Sequence, residues 1–418
     1  MPPSILFLCH RLPWPPDKGD KIRSYRVLRR LAEHYRVYLG TFIDDPADWR
    51  HLPSVEAVCA GVCVRPLQPW RARWRALAAL ARSEPLTVGV YRDREMRLWV
   101  ERVLADQSPE AAVCSSSGVA HFVMAHSDVR RVMDFVDVDS DKWSQYARAH
   151  RGLAGMIYGR EARRLSEWER VIAEQFDASV FVSEPEASFF RKQVPAAAGR
   201  VHGIPNGVDA EYWDPRHDHP NPYRPGERAV VFVGAMDYRA NVDAVVWFAR
   251  VVWPGISAKR PEARFYIVGR KPAAAVRALD EFPGIVVTGG VEDVRPYVAH
   301  AHAVAAPLRI ARGIQNKVLE ALAMEKVVLA TPEAWEGIED FAGRQGCIDR
   351  SPEVLASEAL RWLEAPRPAG DPAARAMVQS RHDWSRNLDA YEKILVGKVP
   401  PVPATRDALG HAGLEAYP

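Results

Sequence analysis

Residues 305–331 read AAPLRIARGIQNKVLEALAMEKVVLAT, and this stretch decides the fold. It begins in an apolar run, passes through a turn with cationic neighbours around Gly313, and continues as a charged helix into a second apolar run at 327–330. Strand, turn, helix and strand in this order predict two parallel strands joined by a crossover helix. The turn then follows the first strand, where the free amides of the helix start and the small glycine favour binding of a phosphate.

The same alternation of short apolar runs and helical patterns occurs in both halves of the chain. The predicted strands of the first half are 5–9, 37–42, 112–114, 132–136 and 179–182. Those of the second half are 230–233, 265–268, 285–288, 303–306 and 327–330. The pattern therefore predicts an α/β protein with two doubly wound domains. If the two domains face each other, the carboxyl ends of both sheets meet at a shared cleft where a ligand could bind. The alternative is two domains that pack elsewhere and have independent sites.

The domain boundaries follow from where this alternation stops. Residues 209–228 contain four prolines and no apolar periodicity, which is typical of a linker. We place the first domain at 1–200, the linker region at 201–228 and the second domain at 229–380. A helix at 381–396 is expected to pack back toward the first domain, and 397–418 are expected to form a flexible tail.

Composition narrows the class of protein. A length of 418 residues with 48% hydrophobic content suffices for two or three domains, and a net charge of +3 does not indicate nucleic acid as a partner. The five cysteines offer only one close pair, so reduced thiols and no zinc site are expected. No apolar run reaches the roughly 18–20 residues of a membrane span, and a strand-like run opens the chain, so a cytoplasmic location is expected.

Lys317 and Glu320 lie one turn apart on the helix that follows Gly313. An ammonium group there can pair with a diphosphate, and a carboxylate can accept hydrogen bonds from ribose hydroxyls. A solvated i,i+3 Lys–Glu pair explains the same spacing equally well. Asp137 and Asp139 alternate along an extended segment and could hold a divalent cation, or Asp139 could cap the next helix.

Three segments resemble retaining family 4 glycosyltransferases of the GT-B fold: 313–323, GIQNKVLEALA; 204–209, IPNGVD; and 234–243, GAMDYRANVD. Within that family, 235–237 together with 135–143, FVDVDSDKW, resemble sugar transferases associated with exosortase (PEP-CTERM) exopolysaccharide clusters. The resemblance implies two Rossmann-like domains, a nucleotide-diphosphate-sugar donor, retention of the anomeric configuration and no metal or other cofactor. It also implies a growing, lipid-linked glycan as acceptor at the cytoplasmic membrane face.

The family's two donor-contacting glutamates lie eight positions apart. Glu320 matches the second, which binds the ribose, whereas the first falls on Arg312. Arginine cannot accept a hydrogen bond from a sugar hydroxyl, but it pairs with carboxylates and phosphates. Arg312 therefore suggests either that the donor sugar is a uronic acid or that the Arg312 guanidinium contacts the diphosphate.

Other family positions carry over in part. The phosphate-binding arginine and lysine of the family fall on Ala235 and near Ala240, so Arg239 and Lys317 are the candidates for the missing charge. Gly19 resembles the glycine loop that reaches the donor from the first domain. The predicted donor-binding residues are Gly19, Arg239, Arg312, Gly313, Ile314, Gln315, Asn316, Lys317 and Glu320. The predicted catalytic residues are Lys317, Glu320 and Asp137, and the acceptor-side residues are Asp139, Lys142 and His10.

The segment 70–82, WRARWRALAALAR, holds four arginines, two tryptophans and no acidic residue. As a helix it could lie on an anionic membrane surface through Trp70, Arg71, Arg73, Trp74 and Arg75. A surface helix that packs its tryptophans on the first domain is the alternative.

Two other functions fit the same sequence. One is a nucleotide-sugar epimerase on the same fold, which needs no acceptor. The other is a non-catalytic nucleotide-sugar-binding subunit, which the departures at Arg312 and Ala235 favour. A dinucleotide-dependent dehydrogenase is disfavoured because the three-glycine fingerprint is missing after the first strand.

Overall fold

The computed structural model describes residues 2–16, 19–150, 152–311, 313–338, 341–365 and 370–398. Its first half is built on a parallel sheet of seven strands. They are β1 (Ser4–Cys9), β2 (Arg36–Ile43), β3 (Gly61–Pro66), β4 (Ala111–Ser115), β5 (Arg130–Val136), β6 (Ala178–Phe181) and β7 (Val201–Gly203). Their spatial order is β3-β2-β1-β4-β5-β6-β7, and all six pairings are parallel.

Helices cover both faces of this sheet, and β1 shows why its sequence is apolar throughout. Leu6 and Leu8 belong to the core on one face, while Ile5 and Phe7 belong to the core on the other. A strand that is buried on both faces needs an apolar residue at every position rather than at alternate positions. The helices are α1 (Gly19–His34), α2 (Leu52–Glu56), α3 (Pro69–Ala81), α4 (Leu86–Tyr91), α5 (Arg94–Gln107), α6 (Asp139–Ala149), α7 (Leu153–Gln175) and α8 (Glu184–Gln193).

The second half repeats this arrangement with six strands. They are β8 (Arg228–Val233), β9 (Ala263–Val268), β10 (Ile285–Gly289), β11 (Ala303–Ala306), β12 (Val328–Ala330) and β13 (Gly346–Ile348), in the order β10-β9-β8-β11-β12-β13. The helices are α9 (Arg239–Trp247), α10 (Trp253–Ser257), α11 (Ala274–Arg277), α12 (Arg295–His300), α13 (Asn316–Ala323), α14 (Pro352–Leu363) and α15 (Pro372–Arg381). The strand order reverses beside β1 in the first sheet and beside β8 in the second, and ligands bind at such points.

The region between the sheets differs from the sequence prediction at its start. Val201–Gly203, which the prediction assigned to the linker, pairs with β6 as the last strand of the first sheet. The part around residues 210–214 contains neither helix nor strand but is held in place by Arg375 of α15. The buried Arg375 guanidinium donates to the carbonyl oxygens of Ala210 and Trp213 and to the Asp214 carboxylate.

The last described helix, α16 (Trp384–Leu395), returns to the first domain. Trp384, Leu388 and Tyr391 are buried in the same core cluster as Ile5 and Phe7 of β1. The tail predicted at 397–418 lies outside the described residues from 399 onward. None of the described helices is both long enough and apolar enough to cross a membrane.

Candidate functional site

The turns after β8 and β9 approach each other at the carboxyl end of the second sheet. A Cβ atom on Gly269 would lie 1.7 Å from the Gly234 carbonyl oxygen, so this approach requires glycine. A Cβ on Gly234 would in turn lie 2.7 Å from Asn241 Nδ2 and 3.1 Å from Lys317 Nζ. The end of β8 therefore presents bare backbone beside a lysine that lies 83 positions later in the sequence.

Lys317 lies in the first turn of α13 and points across this turn. Its Nζ donates to Asn241 Oδ1 at 2.5 Å and lies 4.3 Å from the centroid of the Phe232 ring. Asn241 is held by a second bond, from Nδ2 to the Ala235 carbonyl oxygen at 2.9 Å. Burial lowers the pKa of the Lys317 ammonium to about 7, although the Glu320 carboxylate opposes this shift. Among the described residues Asn241 is its only hydrogen-bond partner, which leaves N–H groups for an anion.

Glu320 follows one turn later on the same half-buried side of α13. Burial raises the pKa of its carboxyl group to about 7, with Lys317 acting in the opposite direction. Within the described part of the chain, its carboxylate has no hydrogen bond and forms no ion pair with Lys317. A half-buried carboxylate without a partner fits a ligand contact better than the solvated-pair alternative.

The start of α13 touches the first domain at several points. Gly313 has φ +64°, and a Cβ there would lie 2.8 Å from both Asp137 Oδ1 and Val182 Cγ2. Asn316 Oδ1 accepts a hydrogen bond from Asn206 Nδ2 at 3.2 Å. A Cβ on Gly19 would lie 3.7 Å from Asn316 Nδ2. The structure thus brings Gly19, Asp137 and the predicted phosphate turn to one cleft.

A strained turn places Asp137 in this cleft. The Asp137 amide donates to the Phe135 carbonyl oxygen at 2.9 Å, and the residue between them, Val136, has φ +69°. A γ-turn with positive φ at a β-branched residue is rare and strained, and strain of this kind concentrates at functional sites. The Val136 carbonyl also accepts the Val182 amide at 2.8 Å, which holds the turn against the strand end of β6. This geometry supports a functional position for Asp137.

The acceptor-side candidates form a cluster around Lys142. Its Nζ lies 2.6 Å from Asp137 Oδ2 and 3.4 Å from Asp139 Oδ1. Burial alone would lower the pKa of Lys142, but Asp137 and Asp139 outweigh it and raise this pKa well above the usual value. The ammonium group therefore offsets one of the two negative charges in this cluster. No group of three or more His, Cys, Asp or Glu side chains in the described ranges is arranged to hold a metal ion.

His10 ends β1 at the same edge of the first sheet. Its Nδ1 lies 3.4 Å from the Ser115 carbonyl oxygen, and its ring meets Tyr91 edge-on with centroids 6.1 Å apart. These contacts hold the His10 ring at this edge of the first sheet, and its acceptor-side role stays a prediction.

Arg239 crosses the cleft, whereas Arg309 does not. The Arg239 guanidinium lies 5.0 Å from the centroid of the Tyr146 ring on α6. Arg309 instead binds both carboxylate oxygens of Asp243, at 3.0 and 2.6 Å, within the second domain. The cleft beside Arg239 is lined by Lys142, Gln145, Tyr146, Tyr238, Ile310 and Ala311.

The other predicted donor-binding residues near the start of α13 are Ile314, Gln315 and Arg312. The Ile314 side chain is buried in the core of the second domain, so only its backbone faces a ligand there. Gln315 precedes α13, and its Nε2 donates to the Gly313 carbonyl oxygen at 3.1 Å. Arg312 lies outside the described residues.

Helix α3 exposes its tryptophans. Trp70 and Trp74 are 59% and 68% exposed, which argues against the alternative in which they pack on the first domain. Arg75 is engaged elsewhere, since its NH2 atom donates to the Asp93 carboxylate at 3.0 Å. The side chains of Arg71 and Arg73 lie outside the described part of the structure.

Sequence reasoning missed three residues of the site. Asn241 and Asn206 lie inside the quoted motifs 234–243 and 204–209, so their polar side chains beside glycines were the available signal. Val136 was counted only as a strand residue. A positive φ at valine has no sequence signal, because nothing in the residue type favours it.

Comparison with known proteins agrees with this architecture. Residues 227–365 match the family model described as Glycosyl transferases group 1. HepE from Anabaena, solved with UDP, superposes with a TM-score of 0.63 at 15% identity, covering 94% of this chain and all of HepE. The fold is GT-B.

Two other solved structures with this fold cover 94% of the chain. WaaG, a glycosyltransferase involved in lipopolysaccharide biosynthesis, has a TM-score of 0.64 and 16% identity over 100% of its own chain. Sucrose-phosphate synthase from Thermosynechococcus elongatus has a TM-score of 0.66 and 17% identity over 98% of its chain. No curated protein sequence matches. In this GT-B fold the Lys317 site occupies the second domain at the cleft, within the matched family segment.

A buried acid beside the site gives a prediction for stability against pH. Glu169 of α7 accepts from the Ser140 amide at 3.1 Å and from Ser140 Oγ at 2.5 Å, which caps α6. Burial raises the pKa of Glu169 to about 8; nearby Asp139 also raises it, and the Ser140 bonds and Lys142 oppose the shift. The folded protein keeps the Glu169 proton up to about pH 8, whereas the unfolded chain loses it near the ordinary glutamate pKa. The free energy of unfolding therefore falls as the pH rises from the ordinary glutamate pKa toward 8.

Glu169→Gln removes this ionisation and keeps an acceptor for the Ser140 amide. We expect the free energy of unfolding of the variant, relative to that of the wild type, to increase by up to roughly 1.4 kcal/mol per pH unit between about pH 5 and 8. Denaturant unfolding followed by tryptophan fluorescence at several pH values measures the difference. Parallel pH profiles of the two proteins would contradict the shifted pKa.

Proposed function

We propose that the protein transfers a sugar from a nucleotide-diphosphate-sugar donor to a glycan acceptor. The observation that carries this proposal is the position of Lys317 Nζ, which points at the glycine turn after β8 from the first turn of α13. A diphosphate at this point meets one ammonium group, helix N-terminal amides and bare backbone. Glu320, one turn further, suits the ribose hydroxyls. HepE, which shares the fold, was solved with UDP, with UDP and glucose, and with UDP-glucose.

We propose that the reaction retains the anomeric configuration. The bond between the sugar's anomeric carbon and the diphosphate oxygen breaks, a new bond to the acceptor oxygen forms on the same face, and the acceptor proton passes to the leaving diphosphate. The charge on the leaving group is stabilised by Lys317 and the helix amides, with Arg239 close by. The proposed role of Asp137 is to orient the acceptor, and its position against Gly313 at the junction of the two domains supports this role.

The proposed acceptor is a growing exopolysaccharide chain carried on a lipid at the cytoplasmic face of the membrane. The exposed Trp70 and Trp74 of α3 support contact with an anionic membrane surface, since tryptophan favours the headgroup level. The protein would then be peripheral, and no metal is needed for catalysis.

A thermal-shift screen with nucleoside diphosphates and their sugar conjugates tests the donor site. We expect stabilisation by one nucleotide sugar in the wild type and in Lys259→Ala, an exposed lysine of the second domain. The shift should be lost in Lys317→Ala and in Glu320→Ala. Stabilisation that survives in both site variants would place the donor elsewhere.

Two outcomes would replace the transferase proposal. Consumption of the nucleotide sugar without any acceptor would indicate an epimerase or hydrolase. Donor binding without transfer to any acceptor in a broad panel would indicate a binding subunit.

A further inference from the structure

The turn between α6 and α7 carries an exposed apolar cluster. Leu153, Met156 and Ile157 are 73%, 72% and 41% exposed, and we call these three residues the hairpin tip. Their spacing of three and four positions puts them on one side of α7. Large apolar side chains that are exposed together on a helix, rather than singly, mark a contact surface.

Positive charge surrounds the hairpin tip. Residues 143–160 contain three arginines and no aspartate or glutamate, and of these Arg160 binds the Glu84 carbonyl oxygen. Arg148 on α6 and Arg163 on α7 are exposed, and neither forms an ion pair with any described acidic side chain. An apolar stripe flanked by unpaired cations is the pattern of a helix that lies on an anionic lipid surface.

The residue next to the hairpin tip packs against α6 through tilted aromatic rings. Tyr158, the residue after Ile157, contacts Trp143 with ring centroids 5.5 Å apart and Tyr146 at 6.2 Å. Tyr146 in turn lies under the Arg239 guanidinium, 5.0 Å from ring centroid to Cζ. These packed rings link the first turns of α7 to side chains that line the cleft.

We propose that the hairpin tip binds an anionic membrane surface, with Leu153, Met156 and Ile157 in the headgroup layer and Arg148 and Arg163 against lipid phosphates. This inference rests on the proposed function in one respect, because a lipid-linked acceptor would reach the cleft from that surface. The tip adjoins the region of α3, since Arg160 donates to the Glu84 carbonyl oxygen at 3.1 Å and Glu161 accepts from the Leu86 amide at 2.7 Å.

A second copy of the chain is a poorer partner for this surface. A twofold symmetric contact through the tip would bring the same patch against itself. Arg148 and Arg163 of one copy would then face the same cations of the other, and like charges disfavour such an interface. Anionic phosphates complement the charge instead.

Co-sedimentation of the full chain with vesicles tests the proposal. The vesicles contain phosphatidylcholine alone or phosphatidylcholine mixed with phosphatidylglycerol. We expect binding only to the mixed vesicles, weakened by added salt, and a drop of roughly tenfold in the partition coefficient for the double variant Leu153→Ser/Met156→Ser. Arg148→Gln/Arg163→Gln should lower binding in the same direction.

The matched control is Leu98→Ser/Val354→Ser, which removes two exposed apolar side chains from α5 and α14 and should bind like the wild type. Unchanged vesicle binding of the tip variant would overturn the proposal. Loss of binding in Trp70→Ser/Trp74→Ser alone would assign the contact to α3, and a wild-type dimer that the tip variant loses would assign the tip to a second copy. Nucleotide thermal shifts in the tip variant, expected to be unchanged, separate this result from failure of the donor site.

Discussion

Replacing Lys317 with methionine is expected to lower turnover of the nucleotide-sugar donor by about 10²–10³-fold, the usual loss when one preorganised donor to a developing negative charge is removed. Methionine keeps most of the buried stem that packs on Phe232. The variant therefore loses the charge and little of the packing. Steady-state release of nucleoside diphosphate in the presence of acceptor measures the effect.

Lys259→Met is the matched control, because this lysine is exposed in the same domain and should retain full activity. The pH dependence of donor affinity separates the effect of the Lys317 charge from the effect of its packing. Since burial lowers the pKa of Lys317 to about 7, an anionic donor that raises this pKa must bind together with a proton when the site is neutral. Donor affinity should thus fall as pH rises above about 7 in the wild type. The fall should be smaller in Lys317→Met, where Glu320 is the group that still titrates in this range. Equal pH profiles for both proteins would show that Lys317 does not meet the diphosphate.

Replacing Arg23 with methionine is expected to lower the free energy of unfolding by about 3–5 kcal/mol, the cost of leaving one member of a buried ion pair without its partner. Arg23 Nε lies 3.0 and 2.8 Å from the two carboxylate oxygens of Asp134, and Arg23 is only 1% exposed. Its NH1 atom also donates to the Ile204 carbonyl oxygen and to Asn206 Oδ1, each at 3.0 Å. Denaturant unfolding followed by tryptophan fluorescence measures the loss.

The control comes from the same helix. Arg30 pairs with Asp389 on the protein surface, and Arg30→Met should cost no more than about 1 kcal/mol. The double variant Arg23→Met/Asp134→Asn should recover part of the stability, because no charge then remains buried without a partner. A loss for Arg23→Met as small as that for Arg30→Met would refute the buried-pair account.

The Arg23 variant should also weaken the donor site. Asn206 is the link, since it is held by Arg23 and itself donates to Asn316 at the start of α13. We therefore expect the nucleotide to raise the melting temperature of Arg23→Met by less than it raises that of the wild type.

Local patterns in the sequence predicted the α/β class, two doubly wound domains and most of the strands, and the resemblance to family 4 glycosyltransferases implied the GT-B architecture. Runs such as 5–9 and 303–306 are apolar at every position because both faces of a parallel sheet are buried, and this is visible without any knowledge of the partners. Three strands were missed. β7 and β13 have three residues each, which is too few to establish a periodicity, and the edge strand β3 is only half-buried and includes Gly61, Arg65 and Pro66. The predicted cluster of Gly313, Lys317 and Glu320 depends only on the spacing within one turn and one helix.

Tertiary structure alone decided which distant residues complete the site. Arg23 and Asp134 are 111 positions apart, and Asn206 and Asn316 are 110 apart. The positive φ of Val136, which points Asp137 at Gly313, occurs where the Val136 carbonyl accepts the amide of Val182, a residue 46 positions away at the end of β6. The sequence by itself determined what each helix and strand must bury, since periodicity records local burial. Packing of the two domains determined which polar side chains meet across the cleft, because contacts between remote segments leave no period in the sequence.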